Sequence, residues 1–159
     1  MKKLKAILLI IFGAVILGGC SHSQPLSGAT PKFSDHQLVE VKLGNISNFE
    51  LEIVNTPQSI SQGLSGRDEI GSGGMLFIFN QELTPKFWMK DMKLNLDLIW
   101  IKDNQVVDIT KNVPSPSLET SLNELPTYSP SQPVSMVLEV KSGLVDELQI
   151  KIGHMIHFN

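Results

Sequence analysis

Cysteine is nearly absent from this chain, with Cys20 alone among 159 residues. An intramolecular disulfide is thereby excluded, and any folded domain must stand on its core. Aromatic residues are also scarce, with a single tyrosine, Tyr128, and two tryptophans. Basic residues number 13 against 16 acidic ones, and three of the basic ones sit at positions 2, 3 and 5. Phosphate backbones are held by clustered Lys and Arg, which this acidic chain lacks, so nucleic acid is not an expected partner. Its longest apolar run is shorter than the roughly 20 residues that span a bilayer. No internal repeat is visible. No serine sits in a Gly-x-Ser-x-Gly elbow, because Gly63-Leu64-Ser65-Gly66 is one residue short of it.

What is present begins at the N-terminus. Lys2, Lys3 and Lys5 precede an unbroken apolar stretch over residues 6–17, and Leu17-Gly18-Gly19-Cys20 follows. Charged, apolar and small-residue regions in that order make a secretory signal. The cysteine after the small residues resembles a bacterial lipobox, with residues 1–19 removed and a diacylglyceryl group attached to the Cys20 thiol. An unpaired thiol in an oxidising compartment would otherwise be a liability. Stable anchoring takes at least two acyl chains, so a fully processed Cys20 would hold the protein at a membrane of the cell envelope. A retained apolar anchor or an incidental cysteine is the alternative.

Residues 20–36 read as a flexible tether, polar and carrying Pro25, Gly28 and Pro31. Residues 37–159 read as a single domain, a common size for one core. Val39, Val41 and Leu43 alternate with Glu40 and Lys42, and Phe49, Leu51 and Ile53 with Glu50 and Glu52, the period of half-buried strands. Thr56-Pro57 marks a helix start, with Ile60 and Leu64 on one side, and predicts a short helix to about Ser65. Residues 75–79 are apolar on both alternate faces and predict a central strand. Residues 87–89 suggest another. Leu94, Leu96, Leu98 and Trp100 share one strand face, Asn95, Asp97, Ile99 and Ile101 the other. Residues 102–105 form a turn into a strand over 106–109. Val134, Met136, Leu138 and Val140 line a further strand, Ser142 can cap a second short helix, and residues 152–158 close the chain. The stretch 112–133 holds five of the nine prolines and predicts one long loop, either a lid over a site or a plain connector.

Gly63-Leu64-Ser65-Gly66-Arg67, Gly74-Met75-Leu76-Phe77-Ile78-Phe79, Phe87-Trp88-Met89-Lys90, Leu96-Asp97 and Val137-Leu138-Glu139-Val140, in that order, resemble the domain-of-unknown-function 192 family of bacteria and archaea over about residues 38–158. The resemblance implies a mostly β, two-sheet sandwich-like domain, often exported, with no established activity. The chain departs from the family pattern where Asp91-Met92 follows the Trp-Met-Lys block and where Asn95 replaces a proline before Leu-Asp. It also lacks the Glu-Arg that often precedes the family's Gly-Leu-Met block.

Asp97 and Glu139 each emerge among apolar neighbours on a strand, and burial raises a carboxyl pKa unless cations or donors compensate. Arg67 and Lys90 are the cations that the matching strings carry. One reading has Arg67, Lys90, Asp97 and Glu139 converging in a pocket walled by Trp88 and Tyr128, which would bind a small molecule, a glycan or an envelope protein. In an enzymatic version the carboxylate pair would act on envelope material, one as base and one as acid. The alternative is a set of structural ion pairs. Trp88 is either a stacking surface beside Lys90 or ordinary core. Five methionines with His154 and His157 raise copper, yet no Met-x-Met or His-x-x-x-His cluster supports it; neither a metal nor a cofactor is expected.

Overall fold

The computed structural model describes residues 33–117 and 119–159. The signal segment, Cys20 and most of the tether lie outside them. Among the described residues no helix is long and apolar enough to cross a membrane.

The domain is mostly β, with two short helices, one large curled sheet and a small second sheet. β1 (Leu38–Leu43) and β2 (Ile46–Val54) form a hairpin whose Val41, Leu43, Leu51 and Ile53 are buried and whose Glu40, Lys42 and Glu50 are exposed, as their alternation requires. β3 (Gly74–Leu83) runs parallel to β2, and a parallel neighbour demands a crossover. Helix α1 (Pro57–Gln62) supplies part of that crossover. Thr56 Oγ1 accepts from Ser59 N–H, and Ser59 Oγ accepts from Thr56 N–H, a reciprocal cap. The helix ends at Gln62, three residues short of the expectation, because Gly63 turns at φ 49° and its N–H returns to the Ser59 carbonyl.

β5 (Leu96–Lys102), β6 (Gln105–Val113) and β8 (Val134–Lys141) complete most of the large sheet, with β9 (Ile156–Phe158) at the far side, in the order β6-β5-β8-β3-β2-β1-β9. Asp103 and Asn104, both at positive φ, make the tight β5–β6 turn. β3 occupies the middle of this order, as its two apolar faces predict. The sheet curls until its two edges meet: Val106 N–H donates to the His154 carbonyl, Gly153 N–H to Val106 and Ile156 N–H to Asn104, each at 2.8 Å. Closure hides the edge groups that would otherwise recruit other strands.

The curl makes two apolar layers. The inner one joins Val41, Leu43, Ile53, Leu76, Ile99, Ile101, Leu138 and Val140, with Val145 of helix α2 (Leu144–Glu147) and Ile150 packed in beside them. The outer one covers the convex face with Met75, Phe77, Leu98, Trp100 and Val137. Over this face lies the second sheet, β4 (Phe87–Trp88) against β7 (Thr127–Tyr128). The proline-rich stretch thus contains β7 and a 3-10 turn, Leu122–Glu124, and is less irregular than its composition predicts. Residues 33–36, read as the end of the tether, are fastened to the domain. Phe33 packs on Phe158 with ring centroids 4.9 Å apart, and Asp35 accepts from Asn55 N–H, Thr56 Oγ1 and Ser59 Oγ.

Gly74 shows how tightly the centre is built. A Cβ there would stand 2.7 Å from the Glu139 carbonyl oxygen and 2.8 Å from Leu138 Cδ1. Gly74→Ala should therefore cost about 1–3 kcal/mol of stability, read as a lower denaturant midpoint; an unchanged midpoint would mean that β3 and β8 can part without penalty.

Candidate functional site

Strand register decides which side chains share a face. On the convex face one row crosses four strands: Glu52 on β2, Met75 on β3, Glu139 on β8 and Leu98 on β5. The next row is Val54, Phe77, Val137 and Trp100. Glu139 therefore stands in the middle of an apolar layer, with methionine and leucine as its cross-strand neighbours. It is only 6 % exposed. No hydrogen bond or ion pair reaches its carboxyl among the described residues, and burial alone pushes its pKa up to about 8.

Above Glu139 opens a cleft of about 920 Å3. One wall is the end of α1 and the turn after it, residues 60–65; the other is the segment running from Phe77 through β4 to Met92. Phe77 and Phe87 meet edge to face at 5.1 Å, and Phe87 meets Trp100 likewise at 5.6 Å. This aromatic chain fixes β4 over the sheet. Trp88, next to Phe87 on a two-residue strand, points away from the core and is 50 % exposed at the cleft. Lys90 lines the cleft too; its carbonyl accepts from Ser65 Oγ at 3.0 Å, which ties the two walls together. Its ammonium lies 3.3 Å from the Asp91 carboxylate.

Of the six side chains expected to converge, Glu139, Trp88 and Lys90 do. The other three have different placements. Arg67 forms a two-pronged pair with Glu52, Nη1 to Oε2 at 2.6 Å and Nη2 to Oε1 at 2.9 Å, with His36 Nδ1 2.7 Å from the same carboxylate. The guanidinium holds the Glu52 carboxyl below its usual range against the opposing effect of burial, and His36 adds to this. Tyr128 pairs with Phe87 from behind, on β7, and packs into the outer apolar layer without lining the cleft. Asp97 belongs to the opposite face of the sheet. It stands across from Val140, is fully buried, and accepts from the backbone N–H groups of Asn112, Gly143 and Val145. The carboxylate pair is thus divided by the sheet, and no described residue of the proline-rich stretch lines the cleft. Through β7 that stretch pairs with β4.

Reading the chain strand by strand passed over the walls of the cleft. Phe77, Phe79, Phe87, Leu64 and Met92 belong to the outer apolar layer and also line the opening. The departure at Asp91-Met92 falls on this wall. Met75 and Met136 are buried, and among the described residues no group of three or more His, Cys, Asp or Glu could hold a metal ion.

A curled β-sheet carrying an aromatic cleft over one unpaired carboxyl is the class of protein that this geometry defines. The chain belongs to the DUF192 family, described as an uncharacterized ACR, whose model matches residues 39–158. Two crystal structures are similar. One is a protein of Sinorhizobium meliloti 1021 provisionally named a transcription regulator, 26% identical, with TM-score 0.67 over 79% of this chain and 97% of that one. The other is a protein of unknown function from Novosphingobium aromaticivorans DSM 12444, 28% identical, with TM-score 0.66 over 81% of this chain and 91% of that one. No curated protein matches the chain.

Proposed function

We propose that this protein is a membrane-anchored binding domain of the cell envelope, tethered by lipid on Cys20 and holding a small molecule or glycan in the cleft above Glu139. The observation that carries the binding reading is Glu139 itself, a nearly buried carboxyl that lines a cleft and has no partner among the described residues. Its carboxyl faces the cleft and not a sealed core, so a ligand entering there can reach it and supply the partner that the neighbouring side chains do not. Trp88 at the rim offers a flat amphipathic surface of the kind that sugars and planar molecules stack upon. An accessory role on an envelope protein would use the same rim.

The lipid anchor rests on the order of Lys2, Lys3 and Lys5, the apolar residues 6–17 and Leu17-Gly18-Gly19-Cys20. The provisional name of the Sinorhizobium protein would suggest DNA as a partner for this fold, but the acidic balance of the present chain argues against it. The enzymatic reading needed two carboxylates at one site; with Asp97 on the far face it loses its second group.

Two measurements test the proposal. Mass spectrometry of the protein from its native membrane should find a diacylated or triacylated Cys20 at the mature N-terminus, and Cys20→Ala should remain unlipidated. An unmodified, freely soluble wild-type chain would remove the anchor. Trp88→Ala should leave stability within about 0.5 kcal/mol, as befits a half-exposed side chain, while weakening, as read by calorimetry, the binding of envelope saccharide fragments or small molecules that alter the tryptophan emission of the wild-type protein. If no such ligand alters the emission of the wild-type protein, the cleft is not a binding site.

A further inference from the structure

We propose that the cleft is selective for an organic ammonium group, whose charged nitrogen pairs with the Glu139 carboxylate on the floor while its carbon skeleton lies against the aromatic walls. The inference rests on the reading of the cleft as a binding site and names the chemistry that the site would select.

None of the cations of the neighbourhood forms an ion pair with Glu139. Arg67 is held by Glu52 and Lys90 by Asp91. Lys86 lines the cleft and is exposed to solvent. Lys141, two residues along β8, is exposed at the strand end. The strands beside β8 place Met75 and Leu98 next to Glu139, and Asp97 points to the other face. Burial is the sole influence acting on the Glu139 carboxyl, so none of these charges compensates it. The acid on the floor therefore has no ion-pair partner among the described residues, although Lys86 and Lys90 line the same cleft.

Three kinds of ligand could meet that acid, and they differ in what they return. A neutral hydroxyl or amide adds one ordinary hydrogen bond, worth about 1 kcal/mol net. An anion would bring a second negative group to a carboxyl that has nothing else to share. An ammonium forms a charge-assisted pair where little water competes, and the faces of Phe77, Phe79, Phe87 and Trp88 attract a cation within about 6 Å of a ring. Only the ammonium supplies the missing charge. The proton balance is simple: Glu139 enters as a neutral carboxyl at neutral pH, releases its proton to solvent, and the carboxylate so formed pairs with the ligand nitrogen, which keeps its own protons.

Binding is then linked to pH. With the empty site holding its proton up to about pH 8, affinity for a permanent cation rises about tenfold per pH unit below that value and levels off above it.

The test uses the full chain in detergent with benzylamine as the probe, and benzyl alcohol and benzoate as neutral and anionic probes of the same shape. Calorimetry in two buffers of different ionisation enthalpy counts the protons released, and tryptophan emission reports occupancy. The expected result is benzylamine binding that tightens about tenfold between pH 6 and pH 7, with close to one proton released per ligand near pH 6. E139Q should lose at least about tenfold in affinity and all of the proton release while remaining folded. Benzyl alcohol binding as tightly as benzylamine, or benzoate binding best, would overturn the ammonium inference and leave the cleft as a site. Silence from all three probes would remove both.

Discussion

Glu139→Gln should make the protein more stable at pH 9 by up to about 5 kcal/mol and leave it nearly unchanged at pH 4. The sign follows from proton counting. An unfolded glutamate releases its proton near 4.5, whereas Glu139 in the folded chain holds its proton up to about 8. Between those values the native state binds more protons than the unfolded one, so stability falls as pH rises through this window and stays low above it. The raised pKa corresponds to the magnitude given. Gln keeps the shape and removes the charge, so its own curve lacks this slope. Other groups titrate as well. Glu52 and Asp35 have lowered pKa values, and each loses its contribution as pH falls through its folded-state value, in parent and variant alike. The difference between the two denaturation curves at each pH therefore isolates residue 139. A difference that is flat from pH 4 to pH 9 would mean that water or a charge reaches the Glu139 carboxyl in the folded protein.

Much of the architecture could be read from local pattern, because strands with one wet face announce themselves. β1 and β2 alternate, and the buried set Val41, Leu43, Leu51 and Ile53 is the one that the period picks out. Asp103-Asn104 marks its own turn, and the doubly apolar β3 lands in the middle of the sheet. The site was legible only in pieces. Period two places Asp97 with Ile99 and Glu139 with Val137, and both statements hold. What period two cannot give is the register between β5 and β8. Leu98, and not Asp97, stands opposite Glu139, so the two carboxyls that look alike along the chain face opposite layers. The same long-range pairing gives Arg67 to Glu52 instead of to either of them. A wall made by α1 and β4, which are far apart in the chain and meet only across the sheet, leaves no local signature at all.

Asp97→Ala tests the other carboxyl and should act in the opposite direction, costing about 3–5 kcal/mol at neutral pH. Helix α2 is four residues long and begins at Gly143, which has no side chain with which to cap it. Asp97 reaches in from β5 to do so: Oδ2 accepts from Gly143 N–H at 2.9 Å and from Val145 N–H at 3.2 Å, while Oδ1 accepts from Asn112 N–H at 2.8 Å. Asn112, inside β6 at a shift of register, is at positive φ, so the carboxylate also holds that residue in a conformation uncommon for a non-glycine. Alanine strips three donors of their acceptor, buried at Val145 and part-buried at Asn112 and Gly143, against a total stability of about 5–15 kcal/mol for a domain of ordinary size. Asparagine is not a rescue, since its amide nitrogen would turn a donor toward at least one of those N–H groups; a loss of about 1–3 kcal/mol is expected for it. Hydrogen exchange at Asn112, Gly143 and Val145 should accelerate in both variants, ahead of the strand amides. Because Asp97 and the cleft lie on opposite faces, whatever ligand the cleft takes should bind the folded fraction of Asp97→Asn with unchanged affinity. An Asp97→Ala protein within about 1 kcal/mol of its parent would mean that α2 and the end of β6 are held by packing of Val145 and Ile150 alone.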